Sequence, residues 1–260
     1  MGSGEVSYKE NFARIETKYM IDAGSYDGLM RSLKGLIKPD VYGDTRIYNI
    51  YYDTPDYRLI RASIEKPVYR EKLRLRSYCV PDKNTGCFLE IKKKYEGVVY
   101  KRRIRLPYGQ AVANLEKGEP FHCMEAEAVE KGLKFSVDTQ IENEINSMIA
   151  YYKNLQPMMV ISYDRLAFTG VKDPDFRVTF DSNITWRTGD LDLSDGGYGA
   201  ELLDKGCRLM EVKCGGAVPF EFAEILSKHH IYKTTYSKYG NAYKEYVRRS
   251  RKCLQTCLAQ

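Results

Sequence analysis

The chain has 260 residues, enough to bury one good core, and 41 Lys plus Arg against 35 Asp plus Glu leave a formal charge of +6. No apolar run approaches the roughly 20 residues of a membrane-spanning helix, and the N-terminus has no signal-peptide core. The seven cysteines form no paired C-x-x-C spacing, which argues against a disulfide framework or a structural zinc site and suits a reducing compartment.

Met1-Gly2-Ser3-Gly4 reads as a cloning remnant, and a single domain is expected over 5–252. In chain order, alternation predicts strands over 12–20, 46–53, 69–79, 87–95, 98–106, 158–168, 176–184 and 207–214. Helical periodicity predicts helices over 22–37, 120–134, 138–155, 218–230 and 237–251. Asp82-Lys-Asn-Thr-Gly86 and Tyr95-Glu-Gly97 read as hairpin turns, so the middle strands form an antiparallel meander. Tyr239, Tyr243 and Tyr246 have helical spacing and suit core packing better than base stacking.

Residues two apart on a strand share a face. That rule gathers Arg70, Lys72, Arg74 and Arg76 on one face and sends Leu73 and Leu75 to the other. It likewise groups Glu90, Lys92 and Lys94, then Lys101, Arg103 and Arg105, then Glu211 and Lys213, and Arg14, Glu16 and Lys18. A solvated sheet also alternates, but it mixes both charge signs with Thr, Ser and Gln. These rows are dominated by cations, whose crowding is unfavourable without a compensating anion.

The fold class expected is α+β: eight antiparallel strands closed into a barrel, helices packed outside, and the cations lining a basic tunnel. A chain of phosphates is the natural ligand, because Arg donates bidentately to phosphate oxygens and Lys supplies point charge. Glu16, Glu90 and Glu211 are candidates for a hard divalent cation, Mg²⁺ or Mn²⁺, and each is equally readable as an ion-pair partner of a neighbouring cation. Neither a P-loop nor a G-x-G-x-x-G turn is present, the three histidines suggest no His-centred site, and no nucleic-acid-binding motif is recognised.

These rows resemble the triphosphate tunnel metalloenzyme superfamily, and within it the VTC domain of polyphosphate polymerases, over nearly the whole chain. The markers are Arg14-Ile-Glu16-Thr-Lys18-Tyr19, Ile50-Tyr51-Tyr52-Asp53-Thr54, Lys72-Leu-Arg74-Leu-Arg76 and Leu89-Glu90-Ile-Lys92. Further along come Ser162-Tyr163-Asp-Arg165, Arg177-Val-Thr-Phe-Asp181, Met210-Glu211-Val-Lys213 and Ser237-Lys238-Tyr239. The resemblance implies that Lys18, Arg74, Arg76, Lys92, Lys101, Arg165 and Lys238 contact substrate phosphates, that Tyr163 assists, and that Glu211 binds the metal. Arg14, Lys72, Lys94, Arg103, Arg177 and Lys213 are further expected substrate contacts. The wider superfamily often opens with E-x-E-x-K; here Arg14 replaces the first acid, a departure that resembles polymerases more than hydrolases.

The activity so implied is transfer of the γ-phosphoryl group of ATP to a growing inorganic polyphosphate, in the cytoplasm. A tripolyphosphatase or nucleoside triphosphatase and a non-catalytic polyphosphate-binding module are the alternatives. No nucleic-acid partner and no direct membrane span are expected, and any attachment at the inner face of a membrane would go through a membrane-protein partner.

Overall fold

The computed structural model describes residues 15–96, 98–118, 121 and 139–258. Ten strands run in chain order: β1 (Ile15–Ile21), β2 (Ile37–Asp53), β3 (Tyr69–Ser77), β4 (Gly86–Tyr95), β5 (Val98–Pro107), β6 (Gln156–Gly170), β7 (Arg177–Arg187), β8 (Ala200–Glu201), β9 (Arg208–Cys214) and β10 (Lys233–Thr234). Six helices are described: α1 (Tyr26–Ser32), α2 (Arg58–Glu65), α3 (Tyr108–Lys117), α4 (Thr139–Tyr152), α5 (Phe220–Lys228) and α6 (Lys238–Leu258). The expected helix over 120–134 lies outside the described residues, apart from Phe121.

The strands pair in the order β10-β1-β9-β7-β6-β2-β3-β4-β5, with β8 on β7. This corrects the eight-stranded closed barrel. The sheet has ten strands and is not closed: among the described residues its pairings end at β5 and β10. The two extra strands are two residues long, too short to leave any alternation in the sequence.

The described residues fall into two compact units. One comprises the chain up to Asp44, Leu166–Asp181 and Gly206–Thr235. Its core is built from Tyr19 and Ile21 of β1, Val178 and Phe180 of β7, and Met210 and Val212 of β9. Leu29 of α1, Leu33 just beyond it, and Phe222 and Leu226 of α5 complete it. α1 ends earlier than its apolar spacing suggests, because Gly35 takes φ +86, a left-handed conformation that favours glycine, and β2 begins at Ile37.

The other unit comprises Thr45–Arg165, Ser182–Lys205 and the chain from Tyr236. Its apolar sheet face carries Ile50, Tyr52, Leu73, Leu75, Leu89, Ile91, Ile104 and Leu106, covered by Ala111 and Leu115 of α3 and Ile145, Met148 and Ile149 of α4. Each such side chain contributes roughly 1.5–3 kcal/mol by leaving water. The predicted first hairpin turn is held by Asp82, whose Oδ1 accepts from the Asn84 amide at 2.9 Å and from the Thr85 hydroxyl at 2.8 Å. Alternation sends the other side chains of β3–β5 to the opposite face, where most of their cations lie; Lys93 and Arg102 stay on the covered side and pair with Glu144 of α4.

Candidate phosphate-binding face

In the second unit, register fixes which cations become neighbours. Lys72, Lys92 and Lys101 form one cross-strand row over β3, β4 and β5, and Arg74, Glu90 and Arg103 form the next. Arg76, Phe88 and Arg105 make a third, and Arg70, Lys94 and Val99 a fourth. Two ammonium groups about 5 Å apart repel by roughly 1 kcal/mol in water and 3 kcal/mol at the effective dielectric of a protein surface. Folding therefore concentrates charge that a polyanion would relieve. Gly86 helps to seat the third row, since a Cβ there would lie 2.7 Å from Arg105 Nε.

Glu90 is the one acid in these four rows. Arg74 donates from Nε to its Oε2 at 2.7 Å, Arg74 Nη2 lies 2.6 Å from the same oxygen, and Arg76 Nε lies 3.9 Å away. Burial disfavours ionisation of Glu90, but attraction to Arg74 and Arg76 and the hydrogen bond from Arg74 outweigh it and hold the carboxyl below its ordinary value. Burial also opposes the charge on Arg74, and Tyr51 and Glu90 more than offset it. The structure thus places Glu90, one of the three candidate metal acids, as a counter-charge among arginines.

β2 supplies residues that charge patterning did not single out. Asn49 is fully buried, donates from Nδ2 to the Ile161 carbonyl at 3.0 Å, and accepts from Arg76 Nε at 3.0 Å. Tyr51 accepts from Arg74 Nη1 at 3.3 Å. Asp53 is also fully buried and accepts from the amides of Thr54, Leu59 and Ile60, so it caps α2. Asn49 and Tyr51 share a face with Asp53, but their neutral side chains carry no sign of charge to mark the row in the sequence.

The start of α6 lies on the same face. Tyr239 stacks on Tyr51, with ring centroids 4.3 Å apart, and donates to Asp53 Oδ2 at 3.0 Å. Its neighbour Ser237 accepts from Lys72 Nζ at 3.0 Å. Lys238 Nζ sits 4.4 Å from the centre of the Tyr163 ring, and the guanidinium carbon of Arg165 sits 5.3 Å from that same centre. Arg76 Nη2 donates to the Tyr163 hydroxyl at 3.3 Å. One buried tyrosine of β6 therefore gathers three of the expected phosphate contacts. Tyr243 and Tyr246 pack on Tyr57 as helical spacing suggests, at 4.9 and 5.5 Å.

The first unit carries a second polar face. Register aligns Lys18, Glu211 and Thr179 across β1, β9 and β7, and Glu16, Lys213 and Arg177 in the neighbouring row. Lys18 Nζ lies 3.2 Å from Glu211 Oε1 and 3.8 Å from Glu16 Oε1. Arg177 pairs with Asp40 of β2. Thr179 Oγ1 is buried and has no hydrogen-bond partner among the described residues. No three His, Cys, Asp or Glu side chains gather into a metal-binding group among the described residues. Two carboxylates and an orphaned hydroxyl are nonetheless hard oxygen donors, and Mg²⁺ is usually held by one or two carboxylates with substrate phosphates completing its shell. The residues present fit that arrangement.

Arg14 lies outside the described residues. Of the other expected site residues, Lys72, Arg74, Arg76, Glu90, Lys92, Lys94, Lys101, Arg103, Tyr163, Arg165 and Lys238 belong to the second unit, and Glu16, Lys18, Arg177, Glu211 and Lys213 to the first. Asn49, Tyr51, Ser237 and Thr179 join them.

Fold and faces together define an α+β protein built on a large antiparallel sheet with a strongly basic face. The VTC domain family model matches residues 13–247, and the chain belongs to that family. No curated protein matches it in sequence. Among solved structures, a candidate adenylate cyclase of Bacillus halodurans is similar at 15% identity and TM-score 0.48, covering 86% of this chain and 93% of that one. A candidate adenylyl cyclase of Hippeastrum, described as having a dominant triphosphatase activity, is similar at 17% identity and TM-score 0.48, with 87% and 93% covered. A Pyrococcus horikoshii OT3 protein is similar at 12% identity and TM-score 0.43, with 89% and 98% covered.

Proposed function

We propose that the protein is a metal-dependent polyphosphate polymerase that transfers the γ-phosphoryl group of ATP to a growing inorganic polyphosphate chain. The observation that carries the reading is the pair of adjacent rows Lys72–Lys92–Lys101 and Arg74–Glu90–Arg103, a repeating cationic lattice suited to a linear polyanion. Membership of the VTC family supports it.

In the reaction a terminal oxygen of the polyphosphate chain attacks the γ-phosphorus, the bond to the β–γ bridging oxygen breaks, and ADP leaves. Such transfer needs little covalent chemistry from the protein; positioning and charge neutralisation supply most of the catalysis. Arg74 and Arg76, fixed by Glu90 and Asn49, would present their remaining N–H groups to non-bridging oxygens. Lys72, Lys92 and Lys101 would neutralise the chain, and Lys238 and Arg165 would act from the Tyr163 ring. Glu211, with Glu16 and Thr179, would hold Mg²⁺ or Mn²⁺. When bound, a divalent ion would supply charge neutralisation for the phosphoryl group. With ATP as the donor, the expected compartment is the cytoplasm.

A second reading rests on Glu16, which stands beside Glu211 about Lys18 and gives a second acid that could orient a water molecule as acceptor. The protein would then be a tripolyphosphatase or nucleoside triphosphatase. Incubation with ATP and Mn²⁺, with products resolved by gel and by phosphate release, separates the two. Long polymer with equivalent ADP is expected; orthophosphate without polymer would establish hydrolysis. Glu211→Gln is expected to lose turnover and to weaken Mn²⁺ binding by calorimetry while keeping tripolyphosphate binding. Unchanged Mn²⁺ binding would return Glu211 to the role of an ion pair with Lys18.

A further inference from the structure

The cationic face of β3–β5 is not uniform along its length. Lysines 72, 92 and 101 fill one row, arginines flank Glu90 in the next, and Arg76 and Arg105 flank Phe88 in the row after that. Phe88 is the one aromatic side chain in the four rows, and Tyr78, two residues past Arg76, meets its ring edge to face with centroids 5.8 Å apart. The other end of the face, at Arg70, Lys94 and Val99, carries no ring.

Arg103 holds its guanidinium carbon 4.7 Å from the centre of the Phe88 ring, and Gly86 leaves room for Arg105, whose Nε would lie 2.7 Å from a Cβ there. Phe88 is thus engaged by Arg103, whereas Tyr78 remains 43% exposed. The acids at this end are committed, Glu90 to Arg74 and Asp82 to the turn hydrogen bonds from Asn84 and Thr85. An exposed ring beside planar cations suits a flat heterocycle, whose π-face stacks on an aromatic side chain. Such a ring joined to a chain of phosphates is a nucleoside triphosphate. Successive rows on one face lie about 6.8 Å apart, a step that lets a ribose separate a base at Tyr78 from phosphates at Arg76 and Arg74. The lysine row beyond them has no ring and suits a polymer of phosphate alone.

We propose that Tyr78 is the base-stacking residue of the donor site, so that the nucleotide lies with its base on Tyr78 at the Asp82 end of the face and its phosphates directed toward Lys92. The inference rests on the ATP-dependent reading above and gives that site a polarity: nucleotide at the arginine end, polyphosphate at the lysine end.

Calorimetric binding of the β,γ-imido analogue of ATP and of inorganic tripolyphosphate to the wild type, Tyr78→Ala and Tyr78→Trp tests it without turnover. The wild type is expected to bind both ligands. Tyr78→Ala is expected to weaken the analogue about tenfold and tripolyphosphate by less than about twofold, and Tyr78→Trp to restore the analogue, with melting temperatures unchanged. Equal weakening of both ligands by Tyr78→Ala would make Tyr78 a support for Phe88 and Arg103 and overturn the proposal, as would an analogue affinity indifferent to the substitution. Failure of the wild type to bind tripolyphosphate would remove the phosphate face itself and the base site with it. Hydrolysis without polymer, with the Tyr78 dependence of analogue binding intact, would overturn the polymerase reading and support the base site.

Discussion

Arg74 and Arg76 each hold a fixed neighbour before any phosphate arrives, Glu90 for the first and Asn49 for the second. A guanidinium aligned in advance loses less rotamer freedom on gripping a ligand. The carboxylate has a pH signature. Its folded value is depressed below the ordinary 4.5, so its contribution is fully present above that value and is lost as pH falls through the folded one. Glu90→Gln is expected to cost about 1–3 kcal/mol at neutral pH, and the gap from wild type should narrow as the solution is acidified. Urea unfolding midpoints measured from neutral pH down to about pH 3 would show the two curves converging; parallel curves would remove Glu90 from the acid response. The charged members of this network were legible in the sequence because period-two alternation sorts them by face. Asn49, Ser237 and Thr179 were not, since a neutral side chain declares its partner only once strand register is known.

Among the elements, β3, β4 and β5 follow directly from alternation, whereas β2 was read only over 46–53, and Asp82–Gly86 turns where its side-chain chemistry requires. α2 was missed because its cap comes from Asp53, five residues before Arg58 in the sequence, instead of from a residue adjoining the helix. α3 was missed for a related reason: Pro107 opens it without a side-chain cap and Gly109 weakens its first turn. The barrel expectation failed because strand counting cannot see two-residue strands or establish which strands close on each other. Asp53 also anchors the far end of the chain through Tyr239. Tyr239→Phe keeps the stack on Tyr51 but removes a donor from a buried carboxylate, so it is expected to destabilise by about 1–3 kcal/mol. It should also lower turnover, since Lys238 and Ser237 flank the anchor. Thermal melting and kcat measured together would check this; a loss of stability with unchanged kcat would confine Tyr239 to the fold.

At the scale of the whole molecule, a formal charge of only +6 conceals a strong local asymmetry, because the cations are concentrated by register on one face of β3–β5 while the apolar side chains of those strands lie under α3 and α4. Composition could show neither the concentration nor the ligand; alternation showed the first, and the chemistry of a crowded cationic face points to the second. The most direct test is a crystal structure determined with tripolyphosphate and Mn²⁺. Phosphate oxygens are expected within hydrogen-bonding distance of Arg74, Arg76, Lys92 and Lys101, with the anomalous signal of Mn²⁺ at the Glu211 carboxylate. Tripolyphosphate bound elsewhere, with these four side chains left in bulk water, would contradict the account.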